Sequence, residues 1–152
     1  MNKKRTSAKR VDIVSLKLVK ESSVLYETRK ISNPYDAYKL AKNFLVDSDK
    51  EKFVVVCLDR KNQPVSIEVV SIGTINSAMV HPREVFKVAI LTNASKIICF
   101  HNHLSGNTDF SRDEVITKIL QKCGEILGIE LVDHIFIGDD DKYFSFKENC
   151  KI

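Results

Sequence analysis

KIICF (residues 96–100) runs straight into His101-Asn102-His103. Five apolar residues bounded by polar ones read as a short strand covered on both faces. Residues 53–58 (FVVVCL) have the same character, and after a polar turn at 59–63 the chain returns as a strand over 65–72. Helical spacing separates these strands. Asn33 caps a first helix, Pro34 takes its first turn, and Ala37, Leu40, Ala41, Phe44 and Leu45 line one face. Pro82 opens a second helix with Val85, Phe86, Ala89 and Ile90 on one side. A polar loop from His103 to about Ser111 precedes a third, which carries Ile116, Ile119, Leu120, Cys123 and Leu127 and closes at Gly128. Residues 131–137 and 143–146 read as closing strands, and 13–18 with 23–29 as a short strand pair around polar 20–22. Strands interleaved with helices predict an α/β domain, layered helix–sheet–helix around a central mixed sheet.

The bulk properties agree with one domain. The 152 residues match a common domain size, and 43% hydrophobic content supports an ordinary core. No apolar run approaches the roughly 18–20 residues that span a bilayer. MNKKRTSAKR has no apolar stretch behind its charges, so it does not read as a secretory signal. The four cysteines form no CxxC pair, which points to reduced thiols and a cytoplasmic protein. Charge is unevenly placed. Residues 1–30 hold nine Lys and Arg against three acids, a net +6, so with +4 overall the remainder sums to −2. Residues 1–12 are therefore expected to form a basic flexible arm, ahead of a single domain over 13–152. Such an arm either contacts nucleic acid or serves as a solubilising end.

Chemistry concentrates in FHNHLSGNTDFSRDE, residues 100–114. Residues i and i+2 of a strand share a face, so His101 and His103 can meet one metal ion where the strand ends. A carboxylate, Asp113 or Glu114, follows at the start of the next helix. Two imidazoles and one carboxylate leave a fourth position for water, the pattern of a catalytic zinc site, where the metal lowers the pKa of water towards about 7. The blander reading makes these surface histidines and a helix-dipole acid. No Cys pair of the zinc deaminase kind is present, and the dispersed pattern of the His-Asn-His nucleases is missing.

The blocks VVSIGTINSAMVHPREVFKVAI (69–90), HNHLSG (101–106) and CGEILGIELVDHIFIG (123–138) resemble the RadC-like family of JAB/MPN (JAMM) metalloproteases. The likeness runs from about residue 35 to 147. It implies the JAB/MPN fold, which resembles that of the cytidine deaminases, with Zn²⁺ as cofactor and hydrolysis of a peptide or isopeptide bond in a protein or peptide substrate. His101 and His103 match the two imidazole ligands, and Glu51 matches the acid/base glutamate that takes a proton from water and returns it to the leaving amine. Ser111 matches the serine that steadies the oxyanion, although a serine there also suits a helix N-cap.

The family spacing, with ten residues between the second histidine and the carboxylate ligand, lands on Glu114, whereas alignment through Ile116, Thr117, Leu120 and Cys123-Gly124 selects Asp113. A loop absorbs a deletion more cheaply than a packed helix changes register, which favours Asp113. Two prolines usual in this loop are replaced by Leu104 and Phe110. His81 and Asp133-His134 also fall in family-like blocks and read as structural, and Asp139–Asp141 reads as solvated charge. The alternative to a hydrolase is an interaction module, with or without metal, that brings the basic arm to DNA or a repair complex.

Overall fold

Asn33 starts the first helix by accepting the Asp36 N–H, and Pro34 follows with a backbone angle already suited to the helix. In the computed structural model, which describes residues 8–73, 80–104, 110–138 and 142–152, this helix is α1 (Pro34–Leu45). The rest follows as β1 (Glu51–Leu58), β2 (Pro64–Gly73), α2 (Pro82–Leu91), β3 (Lys96–Asn102), α3 (Ser111–Leu127), β4 (Glu130–Ile137) and β5 (Tyr143–Ser145). The strands form one mixed sheet in the order β2-β1-β3-β4-β5, with β3 and β4 parallel and every other pair antiparallel.

The continuous apolar runs are explained by the layers on either side of the sheet. Val54, Val56, Leu58, Ile98, Phe100, Ile135 and Ile137 face α1, while Phe53, Val55, Cys57, Ile97, Cys99 and Leu131 face α2 and α3. The result is an α/β/α sandwich with two cores. Full burial of a side chain such as Phe53 or Ile97 contributes about 1.5–3 kcal/mol. All four cysteines are free. Burial pushes the Cys57 and Cys99 thiols up and keeps them neutral, so they act as small core hydrophobes.

The turn from α3 into β4 depends on two glycines. Gly128 takes the left-handed conformation at φ 70°, ending the helix. A Cβ on Gly124 would collide with the Ile129 carbonyl oxygen, so only glycine lets the returning chain cross the helix that closely.

One expected pair of elements is not formed. Residues 13–18 and 23–29 are not strands: from residue 8 to 25 the chain has no regular structure, and Ile13 and Leu25 are 103% and 88% exposed. Their apolar alternation is real, but a lone two-stranded hairpin without a surface to cover is marginal in water. Packing against the body begins only at Tyr26 and Ile31, against the α1 core. The acidic turn at 139–141 and most of the loop between the histidines and α3 lie outside the described residues. No helix among the described residues is long and apolar enough to cross a membrane.

Candidate metal centre

β1 and β3 run antiparallel with Phe53 opposite His101, so the first residue of β1 and the last residues of β3 reach the same end of the sheet. This register brings Glu51 to the histidines. Its carboxylate Oε2 lies 3.8 Å from His101 Nε2, and the two residues are each 8% exposed. Helix α3 begins above the same edge and contributes Asp113 from its first turn. Asp113 Oδ1 lies 3.3 Å from His101 Nδ1 and Oδ2 lies 3.2 Å from His103 Nε2. One ligand atom from each of His101, His103 and Asp113 can be chosen so that all three lie within 4.8 Å of one another.

This donor set suits a divalent ion. Two imidazoles and a carboxylate are common zinc ligands, and the buried Nε2 of His101 has no hydrogen-bond partner among the described residues. Burial pushes the Asp113 carboxyl up, but hydrogen bonds and charge from His101 and then His103 outweigh it and hold the carboxyl well below the usual carboxylate range. It is therefore ionised at any pH where the imidazoles can act as ligands. Glu114 is turned by one helical step of about 100° and pairs instead with Lys151. Ser111 is the first residue of α3 rather than its cap; Phe110 holds the cap position, and Ser111 sits exposed at the rim.

Phe110, where the resemblance implies proline, packs among aromatic rings. Its ring stacks on Phe144 at 4.8 Å and lies 4.7 Å from Phe136 and 5.7 Å from His103. Aromatic packing thus anchors the loop's exit in place of a fixed backbone angle.

Two supports hold the site: Asn102, which escapes sequence reasoning, and His134, which the sequence marks only as structural. Asn102, between the histidines, points to the opposite side of β3 and is 5% exposed. Its Oδ1 accepts from the Lys52 N–H at 2.7 Å and its Nδ2 donates to the Lys50 carbonyl at 3.1 Å. Both backbone neighbours of Glu51 are therefore fastened to the histidine strand. The only sequence signal is an amide inside a buried strand end, which must find partners.

The second support is His134, fully buried on β4. Cys99 pairs with His134 and His101 with Phe136, so His134 lies one pleat behind the site, on the face covered by α3. Thr117 donates its single hydroxyl proton to the Asp113 carbonyl at 2.5 Å, so the 2.7 Å contact with His134 Nδ1 requires the imidazole N–H to donate. This chain of bonds braces the turn that carries Asp113. Neighbouring Asp133 serves the far end of the fold, where its carboxylate accepts from Ser145 and from the Lys147 N–H. His81 caps α2 by accepting the Arg83 N–H, a structural task.

Burial pushes His134 down to about 3, with the charge on His101 adding to the effect. An unfolded chain binds this proton near pH 6.5 whereas the folded one does not until about pH 3, so folding weakens as pH falls through that window. Between pH 7 and pH 5 this one group accounts for about 2 kcal/mol of lost stability. Urea unfolding of His134→Asn is therefore expected to show an acid dependence shallower by that amount. An unchanged pH dependence would show that the imidazole is not held neutral.

Known proteins of similar sequence place the chain in a family. The UPF0758 protein of Clostridioides difficile (strain 630) is 55% identical over 124 residues, which cover 81% of this chain and 52% of that protein. The UPF0758 protein of Methanosarcina mazei is 45% identical over 129 residues, 84% of this chain and 56% of that one. The corresponding protein of Staphylococcus carnosus is 47% identical over 120 residues, 78% and 53% of the two chains. The chain thus spans about half the length of the relatives it matches. The model of the RadC-like JAB domain matches residues 31–151, and the chain belongs to that family.

Proposed function

We propose that this domain is a zinc-dependent hydrolase that cleaves a peptide or isopeptide bond. The supporting observation is the convergence of His101, His103 and Asp113, with the Glu51 carboxylate alongside and a buried imidazole nitrogen left for an ion. His101, His103 and Asp113 would hold the zinc. When bound, the metal supplies an acidified water and a Lewis acid for the scissile carbonyl.

The chain's own residues do the rest. Glu51 takes a proton from the attacking water as the new C–O bond forms, and returns it to the nitrogen as the C–N bond breaks. Asn102 keeps that carboxylate in place through the two backbone groups beside it. Ser111, at the exposed start of α3, donates to the oxygen that gains negative charge. The buried floor of Phe53 and Phe136 limits water around the imidazoles and strengthens charge interactions there.

Elemental analysis of gently purified protein is expected to find about one zinc per chain, as a three-ligand site predicts. Chelation should abolish cleavage of a panel of fluorogenic peptides and isopeptides, and added zinc should restore it. Absence of zinc, or cleavage that survives its removal, overturns the proposal. Zinc without turnover, and His101→Ala affecting stability alone, would identify the domain as an interaction module.

A further inference from the structure

β2 is the last strand of the sheet on its side, and beyond it no described residue pairs. One row of its backbone N–H and C=O groups therefore lies outside the ladder along Pro64–Gly73, ten residues that are all half-buried or exposed. A long open edge of this kind accepts another strand. Glu68, midway along it, has a buried Oε2 without a partner among the described residues.

The chain also carries a segment with strand pattern and no sheet. Val14, Leu16 and Leu18 alternate with Ser15 and Lys17, and Ile13, Val14, Leu16, Val19 and Leu25 are each at least 77% exposed. Monomeric soluble proteins rarely expose apolar side chains on that scale. The segment leaves the body beside the open edge. Ile31 donates its N–H to the Asn62 carbonyl at 2.9 Å, in the turn that leads into Pro64. Charge also matches, since residues 1–30 carry +6 and the remainder −2.

We propose that residues 11–25 of one copy add as a strand to the β2 edge of a second copy, and that two-fold symmetry repeats the exchange. Within a single chain the Tyr26 hydroxyl is tied to the Asp36 carbonyl at 3.3 Å on the α1 side, and residues 11–25 stay off their own sheet. The partner edge then comes from another copy. Ladder hydrogen bonds would supply affinity, and alternation of apolar and polar side chains would set the register. One added strand is small beside the roughly 1,200–2,000 Å² of a stable interface, so exchange of both arms is required.

Light scattering on the full chain over a range of concentrations should give twice the chain mass. Amide hydrogen exchange should show the β2 edge protected. The double variant Leu16→Asp/Leu18→Asp should associate at least about tenfold more weakly, a change near 1.4 kcal/mol. It should also lose β2 protection while keeping its zinc content and the protection of β1 and β3. A wild-type chain that stays monomeric at every concentration overturns the proposal. So does a dimer whose β2 amides exchange freely, or one that survives both aspartates.

Discussion

Glu51→Gln is expected to lower hydrolysis by about 10²–10⁴, the range supplied by a positioned general acid/base. Glutamine keeps the size and hydrogen-bonding shape of the side chain but cannot accept a proton from water at neutral pH. The zinc content should not change, because the ligand triad is His101, His103 and Asp113. The fold should not change either, because the start of β1 is held through backbone groups that Asn102 grips. Parallel measurement of kcat and bound zinc therefore separates two explanations. A fall in kcat with zinc retained assigns the proton transfer to Glu51, whereas loss of zinc would make the carboxylate a ligand. Unchanged kcat would remove Glu51 from the reaction. At about 1.36 kcal/mol per tenfold, the expected loss corresponds to about 3–5 kcal/mol of transition-state stabilisation.

The features legible in the sequence were those that depend on neighbours along the chain. The runs at 53–58 and 96–100 could be read as covered strands because a strand buried on both faces has no polar positions to show. Asn33-Pro34 and Gly128 marked helix ends because capping is a local contest for backbone groups. Strand geometry put His101 and His103 on one face, and the family resemblance made them a metal pair. The arm failed for a related reason: alternation reports that a segment is amphipathic, but says nothing of where its partner lies. The supports of the site were hidden by distance along the chain. Asn102 meets the Lys52 N–H across 50 residues and His134 meets Thr117 across 17. Only the β1–β3 register and the return of α3 onto the sheet create those contacts.

The choice between two adjacent acids gives the second large effect. Asp113→Asn is expected to weaken zinc binding by more than about 100-fold, beyond the 10–100-fold typical of groups that merely orient ligands. The amide retains an oxygen but loses the charge that draws the cation and complements two neutral imidazoles. Glu114→Gln is expected to leave zinc affinity and turnover within about twofold, since its carboxylate pairs with Lys151 on the half-exposed side of α3 and such pairs contribute only about 0–1 kcal/mol.

The physical basis is helix phase. Successive residues differ by about 100° around the axis, so α3 cannot present both acids to the sheet edge at once. That phase is set by Thr117 and Leu120, which are buried against the sheet and are not free to rotate. Titration of each variant with zinc in competition with a chelator dye decides the matter. If the asparagine variant binds as tightly as wild type while Glu114→Gln does not, the loop between His103 and α3 keeps the spacing usual in the family. Helix register would then yield to loop length, which close packing of a core helix opposes.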